Sequence, residues 1–141
     1  MPKHYLHHPI DIPILLRTAK NRRSRGQKSS VFSPGGLSCL WERYIPPGLS
    51  IDIHFKHLPS TLTASGQVIW CRKQQSRFLL GIGFDDPEQA YSVRMMEQVC
   101  QIESYRLQQQ RNGRSLNHEQ AAIEWIRLHA ADFPPISCNP L

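Results

Sequence analysis

The chain has 141 residues, of which 40% are hydrophobic, and this size suits one domain with a short appendage. No apolar run approaches the ~20 residues of a spanning helix and the N-terminus has no secretory signal, which predicts a cytoplasmic protein without membrane insertion. The net charge of +6 comes entirely from residues 1–28, where seven Lys and Arg residues accompany one acid. This local positive charge favours an anionic partner; the alternative is that these residues form an ordinary solvated basic loop.

The first part of the chain alternates short strand patterns with turns. Ile10, Ile12 and Ile14 alternate with other residues, as expected of a half-buried strand. Gly66, inside a longer strand pattern, predicts a bulge or bend. The predicted segments are, in chain order, a flexible basic arm over residues 1–8, a strand over 9–16, a polar loop over 17–30, and strands over 37–41, 49–55, 62–72 and 78–84. Short strands at this spacing suggest a small barrel or sandwich.

The apolar period changes after residue 85, where a helix pattern begins. Asp86 can cap a helix and Pro87 suits its first position. Met95, Val99 and Ile102 follow at i, i+4 and i+7, and Met96 and Cys100 lie beside them as further predicted core positions. This spacing predicts an amphipathic helix that runs to about residue 110 and buries that face.

A second helix is predicted over residues 117–131. Asn117 begins a capping-box pattern, and Pro134 follows the last apolar position. Trp125, Ile126 and Phe133 form an apolar stripe too wide to leave in water. We therefore expect this stripe to pack on the rest of the domain or on a partner chain.

The turn Ser33-Pro34-Gly35-Gly36-Leu37 lies between the basic loop and a strand pattern. Two adjacent glycines admit backbone angles closed to other residues and let a ligand approach the main chain. Free N–H groups there, beside the Ser33 hydroxyl, could form an anion-binding nest. An ordinary turn between strands explains the same residues.

Four segments of this chain together resemble a PilZ domain. They are Tyr5-Leu6-His7-His8-Pro9-Ile10-Asp11-Ile12-Pro13-Ile14, Ser33-x-x-Gly36-Leu37, Gly66-x-Val68-x-Trp70-Cys71 and Leu80-Gly81-Ile82-Gly83-Phe84. The resemblance implies a mainly β fold, a small six-stranded antiparallel PilZ-type barrel followed by two C-terminal α-helices. It divides the chain into an arm (residues 1–8), a barrel with its closing helix (9–111) and a helical extension (112–141). Many PilZ domains bind the bacterial second messenger cyclic di-GMP.

The family's ligand motif implies binding residues for cyclic di-GMP in this chain. The motif joins Arg-x-x-x-Arg on the arm to Asp/Asn-x-Ser-x-x-Gly on a turn. Ser33 and Gly36 are kept, whereas Val31 replaces the Asp or Asn, and Lys3 and His7 replace the two arginines. Arginine binds phosphate or guanine with a two-pronged fork that lysine lacks. The resemblance therefore implies weak binding.

Four more residues complete the predicted ligand set. Gly35 belongs to the same turn. Arg22 and Arg23 could supply the missing forks from the basic loop, or they are solvated. Trp70 could stack on a guanine, or it is a core residue.

The sequence predicts neither a catalytic site nor a metal site. It contains no nucleophile elbow and no phosphate loop with its lysine. Its cysteines, which form no C-x-x-C pair, are Cys39, Cys71, Cys100 and Cys138. Their spacing predicts reduced thiols rather than a zinc or disulfide framework.

The resulting hypothesis is a non-catalytic bacterial signalling protein that binds cyclic di-GMP and relays the signal to an unidentified protein partner. The alternative is a PilZ-fold adaptor that no longer binds the nucleotide and acts through protein contacts. A nucleic-acid-binding barrel is disfavoured, because few aromatic residues alternate along one strand face.

Overall fold

The structure is a computed structural model that describes residues 5–18, 36–56 and 63–133. Within these ranges, six strands precede two helices, as the resemblance implied, whereas the sequence pattern itself indicated five strands. The strands are β1 (Tyr5–His7), β2 (Ile14–Thr18), β3 (Gly36–Trp41), β4 (Ser50–Phe55), β5 (Thr63–Gln74) and β6 (Arg77–Gly83). The helices are α1 (Pro87–Arg111) and α2 (His118–His129), and a 3₁₀ turn over Ala130–Asp132 follows. No helix of the described residues is long and apolar enough to cross a membrane.

The strands form one mixed sheet in the order β1-β3-β6-β5-β4-β2. The predicted antiparallel arrangement holds for every neighbouring pair of the described strands except β1 and β3, which run parallel. The physical reason is connectivity: the chain leaves β1 and continues into β2, which pairs with β4, before it returns as β3 beside β1. The prediction of a wholly antiparallel sheet was therefore wrong at β1.

The strand predicted over residues 9–16 forms only at its end, where β2 begins at Ile14, and the residues before it form a turn that follows β1. Pro9 accepts a hydrogen bond from the Ile12 amide at 3.3 Å, and Ile10 in this turn is 81% exposed. Pro9 and Pro13 cannot donate to a strand ladder, so the alternation of isoleucines does not extend a strand here. Conversely Tyr5–His7, predicted to lie in a flexible arm, forms β1 and buries Tyr5.

The core lies on the inner face of the sheet, under α1. Strand β4 shows the predicted alternation: Ile51, Ile53 and Phe55 are buried, and their neighbours are half-buried. Leu6 of β1 and Leu16 of β2 join the same core cluster, although these strands stand at opposite ends of the pairing order.

The irregularity of β5 lies beyond the predicted position. The register between β5 and β6 shifts between Val68 and Trp70, whereas Gly66 pairs regularly with Ile51. A Cβ at Gly66 would lie 2.7 Å from Cε1 of Phe84. The glycine thus accommodates the Phe84 ring, and the bulge predicted at Gly66 was wrong.

Helix α1 begins as predicted but buries only part of the predicted apolar set. Asp86 caps it by accepting a hydrogen bond from the Glu88 amide at 3.0 Å. Met95 and Val99, predicted to be buried, are 42% and 47% exposed. The predicted burial of Met96 and Cys100 is confirmed. The buried positions of the helix are Ala90, Val93, Met96, Glu97, Cys100 and Ser104. Because this buried set contains a glutamate and a serine, a prediction based on apolar residues alone includes the exposed Met95 and Val99 and omits the buried Glu97 and Ser104.

Helix α2 packs against α1 through part of the predicted stripe. Trp125 and Phe133 are buried with their ring centroids 5.5 Å apart in an edge-to-face contact. Ile126 is 55% exposed, so it does not pack on the rest of the domain. Asn117 forms the predicted capping box with Gln120.

Candidate ligand-binding site

The parallel register of β1 and β3 places Tyr5 beside Gly36. A Cβ on Gly36 would overlap the carbonyl oxygen of Ile82 and lie 3.0 Å from Cε2 of Tyr5. Glycine at this position therefore has a packing reason, the close approach of β1 and β6 to β3. The sequence offered only a ligand-based or a turn-based reason for this residue.

Trp70 contacts Tyr5 and a second glycine. Its ring centroid lies 5.4 Å from that of Tyr5 in an edge arrangement, and a Cβ on Gly81 would overlap the indole. The Arg72 guanidinium lies 5.2 Å from the Trp70 ring centroid. Among the described residues, the buried Nε1 of Trp70 has no hydrogen-bond partner. Trp70 is half-buried, a position intermediate between the core residue and the open stacking platform that the sequence suggested.

His7 stands at the far end of β1 with an exposed side chain. Its Nδ1 lies 2.5 Å from the Ser38 hydroxyl oxygen, and its carbonyl accepts a hydrogen bond from Gln101 Nε2 at 3.0 Å. Of the predicted ligand residues that the structure describes, Gly36 and Trp70 share the neighbour Tyr5, while His7 bonds to Ser38. The other predicted ligand residues lie outside the described ranges and are Lys3, Arg22, Arg23, Ser33 and Gly35.

A cleft of about 420 Å³ runs between β1, α1 and α2. Tyr5 and His7 form its sheet side, and Tyr105 and Trp125 line its helical side. Amides from Gln101 and Gln108 add polar groups. Aromatic rings that surround a few polar side chains are typical of small-molecule sites. Along β1 the cleft extends from Tyr5, the pairing partner of Gly36, to His7.

A buried ionisable pair lies directly after β1. Nδ1 of His8 is 2.5 Å from Oε2 of Glu97, and Nε2 of His8 is 2.8 Å from the carbonyl oxygen of Ile12. Burial disfavours the charged imidazolium, but the hydrogen bond and negative charge of Glu97 outweigh it and raise the pKa of His8. Sequence reasoning missed Glu97 and its pairing with His8, because a glutamate on an amphipathic helix normally faces water.

The thiols beside this pair are buried. Burial, with the Glu97 carboxylate nearby, raises the pKa of Cys39 to about 12 and raises that of Cys100 as well. Cys39, Cys71 and Cys100 are free cysteines, so the described thiols form no disulfide.

Comparisons with protein-family models, with curated proteins and with solved structures found no match for this chain.

Proposed function

We propose that this chain is a bacterial PilZ-type signalling protein that binds cyclic di-GMP weakly and relays the signal to a protein partner. The observation that carries the proposal is the pairing of Tyr5 with Gly36, with Trp70 against Tyr5. Lys3 precedes Tyr5 by two residues, and Ser33 precedes Gly36 by three. Both halves of the ligand motif are therefore attached to the sheet at neighbouring points. The protein acts in the cytoplasm without catalysis.

The chemistry at this point suits a nucleotide with two phosphates and two guanines. A half-buried indole adds about 1–3 kcal/mol when a base stacks on it. The basic excess of residues 1–28 attracts the phosphates. Lysine and histidine replace the arginine forks at Lys3 and His7, and for that reason the affinity is low.

The path of the chain supports a barrel-like closure of the sheet. Residues 8–13 connect β1 to β2, which stand at opposite ends of the pairing order. Seven residue steps span at most about 25 Å, which roughly equals the flat width of five strand spacings of about 4.8 Å. Because the connection also contains a turn at Pro9, a strongly coiled sheet whose edges approach each other accommodates it more readily than a flat one. Leu6 and Leu16 share one core cluster, which supports the same shape.

Titration calorimetry of the full-length protein with cyclic di-GMP tests this function. We expect saturable binding that weakens as salt is raised, because point charges rather than forks meet the phosphates. A titration with cyclic di-AMP is the control, since it has the same phosphates but lacks the guanine edges. No heat with cyclic di-GMP, or equal heats with both nucleotides, would contradict the proposal.

A second candidate function, the adaptor that binds no nucleotide, rests on the surface of the helices. Tyr91, Met95 and Val99 lie four residues apart on α1, and each is exposed. Exposed apolar side chains on one helix face are typical of protein-contact surfaces. Substituting Met95 and Val99 by Gln should abolish binding to the protein partner under either function. Loss of partner binding together with no response to cyclic di-GMP would favour the adaptor.

A further inference from the structure

We infer that His8, Glu97 and Cys100 form a binding site for a zinc ion between the N-terminal segment and α1. All three residues are buried, and their ligand atoms lie within 4.8 Å of one another. Glu97 and Cys100 are three residues apart on α1, so they lie on the same face of the helix. His8, the residue that follows β1, reaches them from the N-terminal segment.

One carboxylate oxygen of Glu97 can accept a further ligand in this cluster. Oε1 is fully buried and has no hydrogen-bond partner among the described residues, whereas Oε2 bonds to His8. A buried, unpartnered carboxylate oxygen costs free energy, and buried charges in proteins are therefore paired or coordinate metals. A cation beside Oε1 removes this cost.

The hydrogen bonding of His8 suits a metal ligand. A carbonyl oxygen only accepts hydrogen bonds, so Nε2 of His8 donates its N–H to the Ile12 carbonyl. Metal-ligating histidines usually donate their second ring N–H to a carbonyl or carboxylate, which orients the free nitrogen toward the ion. Here that free nitrogen is Nδ1, which is directed at Glu97.

The three donors match zinc better than other common divalent ions. Zinc takes sulfur, imidazole and carboxylate ligands together, whereas calcium and magnesium prefer oxygen ligands alone. The ion replaces the proton shared by His8 and Glu97 and the thiol proton of Cys100, so two protons leave as two positive charges enter. The buried site therefore keeps its net charge, and coordination deprotonates the thiol despite its burial.

The separations require only a small adjustment. Zinc–ligand bonds of about 2.0–2.3 Å place tetrahedral ligand atoms roughly 3.3–3.8 Å apart. The contact between His8 Nδ1 and Glu97 Oε2 must widen from 2.5 Å, and the farthest pair must approach from 4.8 Å or less. Side-chain rotations that move the ligand atoms by about an ångström achieve both changes.

Cobalt substitution of the full-length, reduced and chelator-treated protein tests the site. We expect one equivalent of Co²⁺ to produce a thiolate-to-cobalt charge-transfer absorption that Zn²⁺ then abolishes by displacement. Cys100→Ser should remove the absorption, whereas Cys71→Ser, which changes a free cysteine outside the cluster, should leave it unchanged. His8→Gln and Glu97→Gln should each weaken Co²⁺ affinity at least about tenfold.

A second measurement covers the case in which a variant folds poorly. Zinc that binds the folded state raises the melting temperature, so it should do so in the wild type and in Cys71→Ser. Glu97→Gln keeps the shape of the side chain and should show a reduced shift. Absence of cobalt absorption in the wild type, or absorption that survives Cys100→Ser, would overturn the inference.

Discussion

Glycine is required at positions 36 and 81 because neither has space for a side chain, and not because of its backbone freedom. A Cβ on Gly36 would overlap the Ile82 carbonyl, and one on Gly81 would overlap the Trp70 indole. The first contact is with a backbone carbonyl, and the second is with a bulky indole that also contacts Tyr5. These glycines bring the β1–β3 edge and the Trp70 ring together beside Tyr5, so the proposed ligand site depends on them.

Gly81→Ala should destabilise the protein by about 1–3 kcal/mol, because the added methyl displaces the rigid indole of Trp70. Urea denaturation with matched m-values measures this change. The control is the same substitution in a Trp70→Ala background, where the methyl has space and the cost should fall. Equal costs in the two backgrounds would mean that the indole is not the obstacle.

The segment between β1 and β2 is tied to α1 by polar contacts. Asp11 accepts a 2.8 Å hydrogen bond from the Ser104 hydroxyl, and Arg111 lies 3.5 Å from the same carboxylate. With the His8–Glu97 contact, these bonds fix a turn that contains two prolines along one helix. These contacts explain why α1 buries Glu97 and Ser104, two polar residues whose burial the apolar periodicity of the helix does not predict.

Helix α2 is held by one aromatic side chain more than by its apolar stripe as a whole. Trp125→Ala should destabilise the protein by about 3–5 kcal/mol, because it leaves a cavity between α1 and Phe133. Ile126→Ala is the matched control on the same helix. Because Ile126 is mostly exposed, it should change the unfolding free energy by no more than about 0.5 kcal/mol. Similar losses for the two variants in thermal or urea unfolding would contradict this packing.

A three-residue network also joins the two helices, and it should make their docking sensitive to acid. Glu124 accepts hydrogen bonds from Arg114 at 2.7 Å and from the Tyr105 hydroxyl at 2.6 Å. The bonds to Arg114 and then Tyr105 lower the pKa of Glu124 from 4.5 to about 2. A depressed carboxyl pKa stabilises the folded state above the unfolded value. That contribution is lost as the pH falls from about 4.5 toward 2.

The test compares the wild type with Glu124→Gln in urea unfolding between about pH 5.5 and pH 2.5. Glutamine does not titrate, so the stability difference between the two proteins should shrink across this range. Other carboxyl groups affect both proteins alike and cancel in the difference. A difference that stays constant with pH would remove Glu124 from the acid response.

Local patterns predict the strands and helices of this chain well, and long-range connections poorly. The alternation along β4 and the cap residues Asp86 and Asn117 depend on neighbouring residues alone, and each was predicted correctly. The parallel pairing of β1 depends on where the chain returns 31 residues later, which no local pattern records. Similarly, Glu97 is buried because His8, 89 residues away in sequence, provides its partner.

The candidate ligand site shows the same division between local and long-range information. A resemblance based on short motifs identified Gly36 and Trp70, which do lie around one neighbour, Tyr5. It gave no sign of the bond between His7 and Ser38, because strand pairing creates that contact. The local glycines were visible in the sequence, but the groups that approach them were not.

Cyclic di-GMP binding should tighten when the two arginine forks of the family motif are restored. Lys3→Arg with His7→Arg adds bidentate phosphate or guanine contacts, each worth about 1–3 kcal/mol, so the dissociation constant should fall at least about tenfold. The matched control is Lys56→Arg with His118→Arg, which makes the same chemical changes at exposed positions away from β1. Calorimetry at two salt concentrations should show a tighter and less salt-dependent complex for the first pair alone, because forks add directed hydrogen bonds to the screened charges. If both pairs tighten binding equally, the effect is general positive charge. If neither does, the arm contacts no nucleotide, and the adaptor becomes the better account of this fold.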